Sequence, residues 1–263
     1  MKLNIVPARA GFVWFRLGVR TFFRQPLALA GLFFMYMAVM SVATLIPFVG
    51  GALALGLLPA ATLGLMAATR EASSGRFPMP TILITAFRAD RQRLRAMVVL
   101  GVLYAVGFFL VMGVSTLFDG GQFARLYLLG EKTSSDVILS QSFQVAMWVA
   151  MALYLPLSLL FWHAPALVHW YGVPPVKSLF FSIVACLRNF WAFTVYGLIW
   201  AAVMMTVGVA FALLAGLLGG AALLSALLMP VALVMAAMFF TSIYFTFRDS
   251  FVPSDGEPEG APA

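Results

Sequence analysis

The sequence predicts an all-α polytopic membrane protein, with six transmembrane helices in three hairpin-like units, each preceded by a cytoplasmic interfacial amphipathic helix. Three observations carry that prediction. No Asp, Glu, Lys, Arg or His occurs from Ala192 to Phe247; as one helix that run would be about 84 Å long, well over twice a hydrocarbon core of about 30 Å, so it must fold back on itself. Hydrophobic residues make up 63% and charged residues 10% of 263, with mean hydropathy +1.02, against about 25% charged in a soluble domain. The sixteen Lys and Arg residues gather between the apolar windows rather than inside them.

The elements follow from those windows. Residues 7–25 read PARAGFVWFRLGVRTFFRQ, too polar to insert, with Arg16, Arg20 and Arg24 every four residues on one face and Phe12, Phe15, Val19, Phe22 and Phe23 around the rest. This is the pattern of a helix in the headgroup plane, its apolar side in the acyl boundary and its arginines toward anionic phosphates. Leu27 to Thr69 is apolar but interrupted by Pro47, Gly50 and Gly51, which predicts spans over 27–48 and 51–69 around a tight turn. A second basic segment, residues 77–95, leads into a span over 97–118. The fourth span, 143–168, carries Pro156 and Pro165 as kinks. A third basic segment, residues 174–190, precedes spans over 192–216 and 221–247, divided at Gly216, Gly219 and Gly220. Residues 1–250 thus form one six-helix domain. The Pro-, Gly- and acid-rich tail, 251–263, is expected to be a disordered cytoplasmic segment.

Prolines recur near the middle of the second helix of each pair, at Pro59, Pro156 and Pro230, which together with the basic lead-in segments reads as a threefold repeat. Small residues four apart, Ala60–Gly64–Ala68 and Gly208–Ala212–Gly216–Gly220, predict close helix contacts, with intramolecular packing as the favoured use.

The cations also set orientation. Lys2, Arg9, Arg16, Arg20, Arg24, Arg70, Arg76, Arg88, Arg91, Arg93, Arg95, Lys177, Arg188 and Arg248 all fall on one side of a six-span arrangement, and only Arg125 and Lys132 fall on the other. The positive-inside rule then places both termini in the cytoplasm of a bacterial (inner) membrane protein. Arginines interrupt the first two dozen residues, so no cleaved secretory signal is expected. The charges call for an anionic phospholipid bilayer as partner, with a membrane protein or a second copy of the chain as further partners. No nucleic-acid-binding motif accompanies them.

Chemistry is scarce. Cys186 is the only cysteine, so neither an intramolecular disulfide nor a cysteine metal cluster is expected, and a small buried apolar role is. His163 and His169 are six apart, a spacing that diverges on a helix and does not suit a shared metal. No His-Glu-x-x-His or Gly-x-Ser-x-Gly occurs, and no phosphate-binding glycine loop. No catalytic residue, metal site or cofactor is expected. The densest polar stretch is the connection between spans four and five, where His163, His169, Trp170, Lys177, Arg188 and Asn189 fall together. The helix start after Pro175 there could present amides to a lipid headgroup or other ligand, although an aromatic belt with a cationic rim is the simpler reading.

The stretches Val6-Pro-Ala-Arg-Ala-Gly11, Phe23-Arg-Gln-Pro-Leu-Ala28, Ala67-Ala-Thr-Arg-Glu-Ala72, Trp162-His-Ala-Pro-Ala-Leu167, Pro174-Pro-Val-Lys-Ser-Leu-Phe-Phe181 and Arg188-Asn189 resemble a family of uncharacterised six-helix proteobacterial inner-membrane proteins. That resemblance covers nearly the whole chain and implies no activity. The helix-plus-hairpin unit is also similar, by architecture, to the membrane region of bacterial glycerophosphodiester phosphodiesterases, whose hydrolase domain has no counterpart here.

The functional expectation is a non-enzymatic protein acting through lipid or protein contacts at the cytoplasmic interface. The alternative is a passive transporter, channel or lipid-handling protein, with a midplane cavity lined by Tyr104, Tyr154, Ser158 and Tyr196 between proline-kinked helices.

Overall fold

A computed structural model describes residues 1–218 and 221–252, with backbone only for 218 and 221–226. Its elements run β1 (Lys2–Leu3), α1 (Ala10–Arg24), α2 (Pro26–Thr44), α3 (Gly50–Ser73), a 3-10 helix (Pro80–Arg88), α4 (Arg91–Asp119), α5 (Gln122–Leu129), α6 (Ser135–Leu139), α7 (Gln141–Phe161), α8 (Ala164–Tyr171), α9 (Pro175–Arg188), α10 (Phe190–Leu218), α11 (Ala221–Ser250) and β2 (Phe251–Val252). Among the described residues six helices are long and apolar enough to cross a membrane: Pro26–Thr44, Gly50–Ser73, Arg91–Asp119, Gln141–Tyr171, Phe190–Leu217 and Leu227–Ser250. The chain is an all-α polytopic membrane protein.

The expected borders shift for local reasons. Asp90 caps α4, its carboxylate accepting the Arg93 N–H at 2.9 Å, so the helix starts well before residue 97. The arginines of that first turn ride on the helix, where long stems can carry their heads to the interface. The turn between α2 and α3 is built on Phe48, φ 64°, and Gly50 begins α3 rather than lying in the turn. Gly216 lies inside α10, while Gly219, Gly220 and residues 253–263 fall outside the described residues. Phe251 and Val252, expected in the tail, pair antiparallel with Leu3 and Lys2.

The chain divides into two compact units. In the first (residues 1–38, 61–88 and 184–263), α1 lies on α10 and α11. A Cβ on Gly11 would meet the backbone of Ala192 and Tyr196, and one on Gly18 would meet Ser242, so glycine is what allows this close approach. Trp14, completely buried, donates its indole N–H to Asp249 Oδ2 at 2.9 Å. The expectation that the apolar face of α1 sits among acyl chains is corrected in part: Phe22 is buried against protein beside Trp14, Gly18 and Thr21, while Phe12 and Phe23 are exposed and Phe15 and Val19 half-buried. The 3-10 helix packs on α3, with the Leu83 Cα at 2.8 Å from where a Gly64 Cβ would stand. Phe33 and Tyr36 of α2 stack near Phe240 of α11.

The second unit (residues 39–60 and 89–183) centres on α4 and α7. Tyr104 and Tyr154 join hydroxyls at 3.1 Å, Tyr104 meets Phe161 edge-on at 5.0 Å, and α3 and α4 cross at Gly56 and Gly101. At the far end of α4, Asp119 accepts the Gly121 and Phe123 N–H groups at 2.8 and 2.6 Å, folding α5 back.

The fourth span is not one kinked helix. It breaks at Trp162–His163 into α7 and α8, since Pro165 has no N–H for the Phe161 carbonyl and its ring crowds that group. In an unbroken helix the His163 N–H would donate to the Leu159 carbonyl. Ser182 of α9 inserts instead, accepting the His163 N–H at 2.9 Å and donating to Leu159 O at 2.7 Å. One buried hydroxyl thus bridges the His163 N–H and the Leu159 carbonyl, which an unbroken helix would have joined directly.

Candidate functional site: a basic cleft at the start of α4

The six residues expected to form one site are divided between the two units. Asn189, 2% exposed, serves the first unit: Oδ1 accepts the Val6 N–H at 2.8 Å and Nδ2 donates to the Asn4 carbonyl at 3.0 Å. It ties down the segment that precedes α1. Arg188 is in the same unit and exposed. His163, His169, Trp170 and Lys177 belong to the other unit. There His163 is fully buried at the α7–α8 break, and His169 and Trp170 lie on the buried face of α8. Lys177 is exposed on the first turn of α9. The basic face of α1 is as expected, with Arg16, Arg20 and Arg24 exposed.

The proposed midplane cavity residues also separate. Tyr104 and Tyr154 pair with each other in the second unit, Ser158 donates to its own helix at Leu155 O, and Tyr196 bonds Ser242 at 2.5 Å in the first unit. Gly208, Ala212 and Gly216 are exposed, and among the described residues no atom lies within 4 Å of a Cβ built at Gly208 or Gly216, while Gly220 lies outside the described residues. Ala60, Gly64 and Ala68 are buried. Among the described residues no group of three or more His, Cys, Asp or Glu side chains is placed to hold a metal ion.

In the second unit the helix start after Pro175, singled out in the sequence, meets residues that the sequence reading did not join to it. Gly172, φ 64°, ends α8 in the left-handed region, the Val173 N–H reaches back to Leu167 O at 3.2 Å, and Pro174-Pro175 start α9. Glycine suits the first position because a left-handed residue costs it nothing, and proline suits the second because a first-turn N–H has no helical acceptor. Across from this turn stands the capped start of α4. Between them is a cleft of about 470 Å³, walled on one side by Asp90, Arg93, Arg95 and Val99, and on the other by Val168, Gly172, Pro174 and Pro175.

Asp90 is the acid in this lining. Its carboxyl is held below the usual carboxylate range, chiefly by the Arg93 backbone N–H, and it reaches the Arg93 Nε at 3.4 Å. The pair steers the Arg93 side chain along the first turn. Two guanidinium groups against one carboxylate leave the cleft net positive, and the N-terminal end of α9 adds to that sign. The signals were present in the sequence, a helix-capping Asp three residues before an arginine and a Gly-x-Pro-Pro turn. Nothing linear indicated that they face each other.

Comparison with known proteins gives one informative relative. A protein of Burkholderia thailandensis named a probable inner membrane protein is 42% identical over 266 residues, covering 98% of this chain and 97% of the relative. No protein-family model matches the chain, and no solved structure matches it. The likeness to the membrane region of glycerophosphodiester phosphodiesterases finds no support in these comparisons. With that identity over nearly both full lengths, and with six apolar helices in the fold, the chain belongs to the family of this probable inner membrane protein.

Proposed function

We propose that the protein is a non-enzymatic component of the bacterial cytoplasmic membrane, with both termini in the cytoplasm, that acts through anionic-lipid or protein contacts at its basic face. The observation that carries this reading is where polarity resides. The spans hold their ionisable Asp, Glu, Lys and Arg groups at their ends. Several Ser and Thr hydroxyls within them donate to their own helices, Ser115 to Met112 O, Thr206 to Ala202 O, Thr241 to Ala237 O and Thr246 to Ile243 O, and the tyrosine hydroxyls of Tyr104 and Tyr196 pair with Tyr154 and Ser242. Proton relays and ion pathways are built from intramembrane charges, so the chemistry available to this chain lies at the interface. The pairing of β1 with β2 brings residues 2–3 and 251–252 together, in keeping with an even number of spans.

Purification from native membrane in mild detergent, with mass spectrometry of retained lipids and proteins, tests the reading. Specific retention of an anionic lipid or of one protein is the expected result. Solute flux or chemical turnover by protein reconstituted in liposomes would refute it. Orientation is checked with single cysteines placed at Ser74 and at Glu131 in a Cys186→Ala background. Only the Glu131 site should react with an impermeant maleimide in intact cells.

A further inference from the structure

We propose that the cleft between the first turn of α4 and the Gly172–Pro175 turn binds the phosphate of an anionic phospholipid. This rests on the functional reading above and names its site and ligand class. The cleft combines features that an anionic lipid headgroup needs in one place. Arg93 and Arg95 both line it, and a guanidinium presents paired N–H donors to phosphate oxygens. The Asp90 carboxylate is already engaged with the Arg93 backbone N–H and Nε, which leaves the terminal guanidinium nitrogens as the donors toward the cleft. α9, fourteen residues long, starts on the opposite wall at Pro175 and adds the positive end of a helix.

The lining also distinguishes a lipid from a soluble anion. Below the arginines the wall continues into Ala96 and Val99. Val99 and its neighbours Val98 and Val102 are exposed, on a helix whose apolar run begins there. A phosphate held at the arginines would therefore have its glycerol and acyl chains led onto the surface of α4 that a bilayer covers. The volume, about 470 Å³, falls within the range of small-molecule sites, about 300–1,000 Å³.

The full-length protein in mild detergent, mixed with phosphatidylglycerol, phosphatidylcholine or inorganic phosphate, is scored by native mass spectrometry. The wild type should retain phosphatidylglycerol over phosphatidylcholine. Arg93→Gln with Arg95→Gln should weaken that retention about thirtyfold, at about fivefold per arginine near an anionic surface. Arg95→Gln alone, at an exposed position, should give the single step without touching the Asp90–Arg93 pair. Arg125→Gln with Lys132→Gln, outside the cytoplasmic basic face, should leave retention unchanged. Unchanged retention in both cleft variants, or an equal loss in the Arg125 and Lys132 variant, overturns the cleft and leaves the lipid-contact reading standing. Displacement of phosphatidylglycerol by millimolar inorganic phosphate reassigns the cleft to a soluble anion and overturns the lipid. If the wild type does not prefer phosphatidylglycerol and retains no protein partner from native membrane, both readings fall.

Discussion

Replacing Ser182 by alanine isolates one hydroxyl that holds a broken helix together. The side chain is fully buried, accepts the His163 N–H at 2.9 Å and donates to Leu159 O at 2.7 Å. Its loss removes one bond from a buried donor and one from a half-buried acceptor, and each such loss costs about 1–3 kcal/mol. Partial relaxation of the break offsets some of this, so the expected loss is about 2–4 kcal/mol. Ser178 provides the internal control. It is on the same helix and equally buried, but its hydroxyl donates to Pro175 O three residues back. Its removal costs one local bond, about 0.5–1.5 kcal/mol. Cysteine at 182 keeps most of the volume and loses hydrogen-bond strength, so it should behave like alanine. The assay is thermal unfolding in detergent, followed by tryptophan fluorescence. If Ser182→Ala unfolds within experimental error of Ser178→Ala, the inserted hydroxyl is not what satisfies the break, and this account of the fourth span is wrong.

Gly18→Ala should destabilise the protein by about 1–2 kcal/mol, because the added Cβ would stand 2.7 Å from the Ser242 Cα and overpacking outweighs the gain in helix propensity. Gly31→Ala on α2, with no atom within 4 Å, should be neutral or stabilising by up to about 1 kcal/mol; the same sign for both in thermal scans would contradict the close approach of α1. Asp249→Ala removes the acceptor of the buried Trp14 indole and the Arg248 partner, for an expected cost of about 1–3 kcal/mol and a changed Trp emission. Asn189→Ala should release residues 1–6, seen as faster hydrogen exchange confined to that segment, since both of its bonds end on Asn4 and Val6. Burial pushes the Cys186 thiol up to about 12, so it stays protonated through pH 9. Maleimide labelling of folded protein should then be slow and show no thiolate-driven rise between pH 7 and 9, while unfolding restores ordinary reactivity.

Much of the fold was legible because membrane insertion is close to a sum over residues. Each apolar window lowers the transfer free energy by itself, and each arginine or proline marks a border or a bend at its own position. That additivity is why the six spans, their order and the exposed Arg16–Arg20–Arg24 face could be read directly. Pro165 likewise announced a disturbance in the fourth span, but the sequence could not tell a kink from a break. That outcome depends on a hydroxyl nineteen residues later arriving to satisfy the freed backbone groups.

The candidate site was less legible for the same reason. Asn189 carried the same chemical promise as Lys177 or Arg188 in the linear reading, and packing spent it on Asn4 and Val6. Gly208 and Gly64 had the same four-residue spacing, yet among the described residues a Cβ at Gly64 meets Leu83 and one at Gly208 meets nothing. The sequence by itself determined that this protein lives in a bilayer, crosses it six times by its apolar windows and carries its charge at the span ends, since those properties are local and additive. Only the tertiary structure decided which faces meet: α1 on the last hairpin through glycine, Ser182 in the helix break, and Arg93 and Arg95 opposite Gly172–Pro175. Such contacts join residues from 19 to 235 positions apart, and their energies depend on shape and on hydrogen-bond partners that no linear pattern records.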